Sequence, residues 1–286
     1  MSKASSSGTT SGKRSSGLDF RYYTQNLSIK AISSSGYKDS AYAIAELIDN
    51  SIQAGEGLDR PVTVEVICID KTGYETSSGR RRLDRVGVYD NASGMDAMTL
   101  RQALQFGVGT HLDPANQKGI GKFGMGLPNS SISQCRRVDV WTWQYGKTLH
   151  TYLDLDEIEN GATIEVPEPK PAALPNDWIG LVSSEVGDSG TLVVWSTLDL
   201  IRWKQSTALL RNAEFVIGRI YRHFMNSGRA TIRLAAYEEI GGKFDNRLDD
   251  FVRPNDPLFL MKNTVAPAPF DEDAAFRGSA IHRGRL

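Results

Sequence analysis

The segment AELIDNSIQAG, residues 45–55, predicts an amphipathic helix with a distinctive polar face. That face carries two carboxylates and two amides with no cation among them: Glu46, Asp49, Asn50 and Gln53. Side chains three and four residues apart on a helix are neighbours, so these groups lie together. Clustered acids and amides repel each other and resist burial, which makes sense if a cationic ligand comes to them.

Local signals give this helix its bounds. Asp39 or Ser40 can cap it, and it is predicted to run to Gln53 or Ala54, with Gly55 as the stop. Helical spacing places four apolar side chains towards a core, and these are Ile44, Leu47, Ile48 and Ile52.

A hydrated magnesium ion carried by a polyphosphate fits the polar face. Magnesium keeps several of its waters, so one protein oxygen such as the Asn50 amide carbonyl can suffice. Glu46, one turn away, could deprotonate a water for attack on the terminal phosphate. The alternative for this segment alone is an ordinary solvated helix face.

Composition limits the class of protein. The 286 residues are 40% hydrophobic, which is enough for a large core. The net charge of −1 gives no global basic field for nucleic acid, although a local basic patch remains open. Cys68 and Cys135 suggest neither a disulfide framework nor a zinc site, which favours a reducing cytoplasm. The sequence shows no secretory signal and no apolar run of about 18 residues, so we expect no membrane association.

The order of predicted elements indicates an α+β fold. Helices are predicted near residues 40–54, 96–106, 127 onward and 203–225, and strands at 61–70, 84–90, 136–143, 147–155, 162–167, 190–198 and 229–239. Because strands and helices do not alternate strictly, a mixed sheet covered by helices fits better than a doubly wound parallel sheet. Residues 107–126 form a glycine-rich loop, and a loop of that length is typically functional or disordered.

A second polar segment, YDNASGMD at residues 89–96, follows a predicted strand. A carboxylate at the strand end, followed by small residues and Gly94, makes a concave edge that a planar base can approach closely. Asp90 could accept a hydrogen bond from an exocyclic amine, which favours adenine over guanine. The alternative is a simple Asp-Asn turn.

A third segment, KGIGKFGMGLPNSS at residues 118–131, contains a G-x-G-x-x-G match. The match is weak evidence for a dinucleotide site because no strand precedes it, and the chain has no P-loop motif. A glycine loop that enters a helix still suits phosphates. Backbone N–H groups near Gly124, Met125, Gly126 and Leu127 can point at anionic oxygens, and Lys118 and Lys122 add charge. A flexible surface loop is the alternative.

Together these segments resemble the GHKL ATPase superfamily, which includes DNA gyrase B, the ninety-kilodalton heat-shock chaperones, histidine-kinase catalytic domains and MutL. ELIDNS matches the E-x-x-x-N helix motif, DNASGM matches D-x-G-x-G imperfectly, and GIGKFGMGL matches the glycine motif at the end of the ATP lid. SGTLVVW, residues 189–195, matches the strand whose threonine helps to hold adenine, here Thr191. The appearance is closest to the Microrchidia (MORC) ATPases and their bacterial relatives.

The resemblance implies a Bergerat-type two-layer sandwich, with ATP between the helices and a lid. It implies Glu46 as general base, Asn50 as magnesium ligand and Asp90 as adenine acceptor. The implied nucleotide contacts are Asp49, Asn50, Asp90, Gly94, Met95, Gly121, Lys122, Phe123, Gly124, Met125, Gly126, Leu127 and Thr191. Ala92 departs from the family, since it stands at the first glycine of D-x-G-x-G and puts base fit in doubt. Gln53 stands where many relatives carry an acid, which casts little doubt on hydrolysis.

The expected organisation has three parts. Residues 1–17 are a disordered Ser/Gly-rich tail, residues 18–200 are the GHKL domain, and residues 201–286 are a helix and the truncated beginning of a transducer-like domain. Relatives supply a lysine to the γ-phosphate from that second domain. Lys243 and Lys262 are candidates here, although no motif supports either.

The resulting functional prediction is a cytoplasmic enzyme, nuclear if the source is eukaryotic. It binds ATP with Mg²⁺ and hydrolyses it slowly to drive lid closure and homodimerisation. An ATP-sensing module with negligible turnover, acting through a partner protein or DNA, is the second hypothesis. A protein histidine kinase is the third. The sequence does not name the biological process.

Overall fold

A computed structural model describes residues 37, 39–72, 81–106, 126–257, 261, 264 and 265. These residues form one eight-stranded sheet and seven helices. The strands are β1 (Val62–Thr72), β2 (Arg81–Asp90), β3 (Cys135–Gln144), β4 (Lys147–Asp154), β5 (Lys170–Pro171), β6 (Ser189–Leu198), β7 (Ala230–Ile240) and β8 (Lys243–Phe251).

The sheet is mixed, with the strand order β5-β4-β3-β6-β2-β1-β7-β8. β1 and β7 run parallel, and every other neighbouring pair is antiparallel. The register sets Asp90, the last residue of β2, opposite Val64 of β1 and Thr191 of β6. The predicted fold class, an α+β mixed sheet covered by helices, is confirmed.

The helices are α1 (Ser40–Ala54), α2 (Ala97–Ala103), α3 (Gly126–Ile132), α4 (Leu155–Glu159), α5 (Asn176–Ile179), α6 (Ser206–Ile220) and α7 (Arg222–Asn226). The predicted bounds of α1 are confirmed. Asp39 caps it by accepting a hydrogen bond from the N–H of Ala41 at 2.9 Å, and Gly55 ends it. The side chains predicted to face the core, Ile44, Leu47, Ile48 and Ile52, are all buried.

The two faces of the sheet are covered differently. α1, α3 and α6 pack on one face, and the main core lies beneath them. On the other face, a smaller cluster forms where Trp178 of α5 lies against the sheet. Gly87 of β2 makes room for this contact, because a Cβ there would overlap the Trp178 ring.

The last two strands belong to the same sheet as the others. β7 pairs with β1 along ten residues, and α6 contributes Leu209, Ala213 and Ile217 to the main core. The predicted domain boundary at residue 200 therefore falls within one sheet and one core, because residues on both sides of it contribute to each. The division at that point stays a prediction, and the proposed tail at residues 1–17 lies outside the described residues.

Two predicted elements differ from the structure. Residues 162–167 do not form a strand; Arg101 instead binds this segment through the Val166 carbonyl at 2.7 Å and the Glu165 carboxylate. The helix predicted at residues 203–225 is two helices, α6 and α7, that meet at Tyr221. None of the helices within the described part of the chain is long and apolar enough to cross a membrane.

Candidate nucleotide-binding site

α1 presents its polar face beside the end of β2. Glu46, Asp49 and Asn50 are half-buried, whereas Ser51 is buried and points towards the sheet. Among the described residues, no Lys or Arg forms an ion pair with Glu46 or Asp49. The cation-free face predicted from the sequence therefore exists within this part of the molecule.

A buried tyrosine engages one side of this face. The Tyr221 hydroxyl lies 2.7 Å from Asp49 Oδ1 and 2.6 Å from the carbonyl oxygen of Ala45. Burial raises the pKa of Asp49 to about 6, and nearby Glu46 adds to the rise. Burial, followed by the neighbouring Asp49 charge, raises the pKa of the Tyr221 hydroxyl. Asp49, an expected nucleotide contact, thus has a partner within the protein.

A second tyrosine reaches the expected general base. Tyr37 donates its hydroxyl hydrogen to Glu46 Oε2 at 2.9 Å. Its own carbonyl accepts from the side-chain amide of Gln134 at 2.8 Å, just after α3. Burial and the Glu46 carboxylate raise the pKa of Tyr37. Glu46 is therefore oriented by a residue anchored to the α3 end of the site.

Asp90 is held by three donors at the end of β2. Its Oδ1 accepts from the backbone N–H groups of Ala92 at 2.9 Å and Thr191 at 3.1 Å, and its Oδ2 accepts from the Ser51 hydroxyl at 2.8 Å. A carboxylate offers about four acceptor positions, so one remains on Oδ2. Burial raises the pKa of Asp90 to about 6, and its hydrogen-bond donors oppose that rise.

The loop after Asp90 is fixed against β3 and β6. Met95 donates its backbone N–H to Thr142 Oγ1 at 2.8 Å. Gly94 has a φ of +66°, and a Cβ there would overlap the Trp143 carbonyl oxygen. The protein itself therefore requires glycine at this position. Its closeness to a bound base stays a prediction.

Ala92, the departure from the family motif, is fully buried in the main core. Its backbone N–H binds Asp90, and its carbonyl accepts from the Ser189 hydroxyl at 2.6 Å. Because the Ala92 methyl group packs in the core, the fold accommodates alanine at this position of the motif.

The glycine segment meets α1 at Gly126, the first residue of α3. A Cβ on Gly126 would overlap Glu46 Oε1, so the beginning of α3 lies directly on the expected general base. Leu127 is buried behind it. The other expected phosphate contacts, Gly121, Lys122, Phe123, Gly124 and Met125, lie outside the described residues, as does Lys262.

Lys243, a candidate for the γ-phosphate lysine, lies far along the sheet from the level of Asp90. It begins β8 opposite Ile240, whereas Asp90 lies level with Val64, which pairs with Ile232. Eight residues of strand separate the two levels, or roughly 26 Å at about 3.3 Å per residue. The register of β7 thus separates Lys243 from the level of Asp90, and its role towards the γ-phosphate stays a prediction.

The donor set suits a nucleotide with a magnesium ion. The half-buried Asn50 side-chain amide makes no hydrogen bond with any residue that the structure describes. Its oxygen is thus available as the single protein ligand that hydrated Mg²⁺ accepts. The spare acceptor position of Asp90 suits an exocyclic amine.

Comparison with known proteins defines the class. A family model described as histidine kinase-, DNA gyrase B-, and HSP90-like ATPase matches residues 37–187, more than half of the 286-residue chain. The chain belongs to this family of ATPases, and the family implies an ATP-binding domain.

Two further comparisons add context. The crystal structure of the N-terminal domain of a DNA repair protein aligns at 17% identity with a TM-score of 0.46. The alignment covers 77% of this chain and 55% of that chain, so this chain spans about half of that neighbour's length. No curated protein matches the chain.

Several residues of this site were not predicted from the sequence. Tyr37, Ser51, Thr142 and Tyr221 each contact an expected site residue or its loop. Only Ser51 had a sequence signal, since it lies one helical turn after Leu47 and ends the ELIDNS motif. Thr142 and Tyr221 come from distant segments that the fold brings to the site, whereas Tyr37 lies just before α1.

Proposed function

We propose that this protein is a magnesium-dependent ATPase of the GHKL type, in the branch that resembles the MORC ATPases. The observation that carries this proposal is the Ser51–Asp90 hydrogen bond at 2.8 Å. It joins the helix that bears Glu46 and Asn50 to the carboxylate expected to bind adenine. A base bound at Asp90 would therefore have its phosphates directed along α1.

Adenine recognition in this proposal rests on Asp90. Its Oδ2 keeps one acceptor position after binding Ser51, and an exocyclic amine can donate to it. Guanine presents a carbonyl at the equivalent position, and two acceptors facing each other would be unfavourable. Thr191 contributes at the same place, because its backbone N–H binds Asp90 and its side chain is largely buried.

Hydrolysis rests on Glu46 and Asn50, which face the same side of α1 one turn apart. Glu46 would accept a proton from the attacking water, and its contacts with Tyr37 and Gly126 fix where its carboxylate lies. Asn50 would hold the magnesium ion through its amide oxygen. When bound, magnesium neutralises phosphate charge and orients the γ-phosphate.

The consequence we propose for ATP binding is closure of a lid formed by the glycine-rich segment, followed by homodimerisation. Closure would exclude water and complete the phosphate contacts from Gly121, Gly124 and Gly126. Slow turnover is part of the proposal because no motif among the described residues supplies a lysine to the γ-phosphate. Contact with DNA or a partner protein, and a cytoplasmic location, extend the same proposal.

One observation favours a second candidate, an ATP-sensing switch with negligible turnover. Tyr37 already occupies Glu46 Oε2, so the expected base is engaged by the protein. If that bond persists with nucleotide bound, it would hold the Oε2 oxygen of Glu46 away from an attacking water. The chain would then act through its bound conformation alone.

Phosphate release from the purified protein with Mg²⁺ and ATP separates the two candidates. For the ATPase, we expect Glu46→Gln to lower turnover by about 10²–10⁴-fold while nucleotide affinity stays within a few fold. Asp90→Ala should abolish nucleotide binding as measured by calorimetry. Glu56→Gln is the matched control, because Glu56 is exposed just beyond α1, and it should behave as wild type.

The outcomes discriminate clearly. Turnover by Glu46→Gln equal to wild type would refute the general-base assignment. Nucleotide binding by wild type without phosphate release would support the sensing switch. An absence of heat on adding nucleotide to wild type would refute both.

A further inference from the structure

Tyr221 occupies an exceptional position in the chain. It lies at the junction where α6 ends and α7 begins, with φ −95° and ψ 11°, outside regular helix geometry. Its side chain is only 1% exposed and belongs to the core beneath α1. The hydroxyl is therefore a buried polar group that must find partners in the protein.

Both partners are on α1. The Tyr221 hydroxyl lies 2.6 Å from the Ala45 carbonyl oxygen and 2.7 Å from Asp49 Oδ1. Ala45 directly precedes Glu46, and Asp49 directly precedes Asn50. One hydroxyl thus contacts both ends of the single helical turn that carries the proposed base and the proposed metal ligand.

This contact acts on backbone and side chain together. The hydroxyl has one hydrogen, which it shares between Asp49 Oδ1 and the Ala45 carbonyl oxygen, and that carbonyl also takes part in the helix ladder of α1. The bond to Asp49 fixes the side chain next to Asn50. A turn held at both ends resists the small rotation that would move Glu46 or Asn50 away from a bound phosphate.

We propose that Tyr221 is a positioning residue for Glu46 and Asn50, and that it ties the hydrolytic turn of α1 to the α6–α7 junction. The inference rests on the proposed function. α7 leads directly into β7, so the same bond connects the site to the part of the chain after residue 221. Tyr221 itself touches neither nucleotide nor metal in this account.

The test is Tyr221→Phe, which keeps the ring and removes only the hydroxyl. We expect kcat to fall at least about tenfold while the Kd for Mg·ATP changes less than about threefold, because misplacement of reacting groups chiefly affects the chemical step. Assays well below the Tm of each variant separate this effect from lost stability. Tyr152→Phe is the matched control, since the Tyr152 hydroxyl binds Glu157 on the peripheral β4–α4 segment.

A second variant covers the chance that Tyr221→Phe folds poorly. Asp49→Ala removes the acceptor and leaves the tyrosine packing intact, and it should lower kcat in the same way. Asp49→Asn keeps an oxygen acceptor and should retain most of the turnover. Combining Asp49→Ala with Tyr221→Phe should cost little more than Tyr221→Phe alone, because both variants remove the same Tyr221–Asp49 bond.

Two results would overturn the inference. One is a kcat within twofold of wild type for folded Tyr221→Phe. The other is a kcat loss for Asp49→Ala that simply adds to that of Tyr221→Phe. Wild-type protein that neither binds nor hydrolyses ATP would instead refute the proposed function, and the inference with it.

Discussion

The adenine end of the site, around Asp90, and the hydrolytic end, around Glu46 and Asn50, are built in opposite ways. Asp90 is 5% exposed and receives three hydrogen bonds from three different segments. Glu46 and Asn50 are half-buried, and Asn50 has no hydrogen-bond partner within the described part of the chain. The protein's own donors thus hold the adenine end in place, whereas the hydrolytic end keeps groups available for a ligand.

This difference has a physical reason. A base is recognised by one fixed acceptor, and a buried carboxylate stays ionised and oriented only when donors surround it. Phosphates and their ion carry water and charge, so their ligands must be partly accessible. Mutations at the two ends should therefore have different effects. Mutations at the adenine end should chiefly change the stability of the protein, and mutations at the hydrolytic end should chiefly change its turnover.

The largest expected effect is at Gly94. Gly94→Ala should lower the free energy of unfolding by at least about 3 kcal/mol, because it combines a positive φ with overlap on the Trp143 carbonyl. Urea denaturation measures this loss. Gly57→Ala is the control, since φ is +87° there and a Cβ would have open space around it. It should cost about 1 kcal/mol. Equal losses would show that overlap at Gly94 is unimportant.

The second effect is a pH dependence from Asp90. Burial raises its pKa from 3.8 to about 6. Above pH 6 the carboxylate is ionised, and the whole cost of burying its charge then lowers the stability of the folded protein. That penalty fades as the pH falls through 6 towards 3.8. Between pH 7 and pH 4, wild type should gain about 1–3 kcal/mol of stability relative to Asp90→Asn. A difference between the two proteins that does not change with pH would contradict the raised pKa.

The third effect tests the hydrolytic end at Gly126. Gly126→Ala places a methyl group against Glu46 Oε1 and should displace that carboxylate. We expect kcat to fall about tenfold or more with a small change in Tm, since the carboxylate is the movable partner. Gly180→Ala serves as the control, because a Cβ there makes only ordinary contacts. A Gly126→Ala variant with a much lower Tm, but with a kcat equal to wild type for the fraction that is folded, would contradict this expectation.

The smallest effect is expected at Ala92. Ala92→Gly should lower stability by about 1–2 kcal/mol, through a lost core methyl group and a more flexible backbone. Nucleotide affinity should stay within about twofold, because the methyl group packs in the core. Calorimetry and urea denaturation on one preparation give both values. Affinity that rises several-fold on this change would show instead that the methyl group restricts the base.

Much of the fold was predictable because its signals are local. The cap at Asp39, the stop at Gly55 and the apolar spacing of α1 lie within 17 residues of one another. The strand predicted at residues 162–167 was wrong, and that segment binds Arg101, about sixty residues away, in a contact that no local pattern reveals. Tyr221 likewise lies where the predicted helix divides into α6 and α7, and its hydroxyl contacts α1. The periodicity of the sequence does not reveal a contact of this kind.

The sequence alone determined which residues have the chemistry for a nucleotide, since carboxylates, amides and glycines at motif spacing are visible in one dimension. Tertiary structure alone decided how they are held: Ser51 on Asp90, Tyr37 on Glu46, and Tyr221 on Asp49. It also decided how far along the sheet Lys243 lies from Asp90. The reason is that hydrogen bonds between distant segments depend on strand register and helix packing, and these arise only when the whole core assembles.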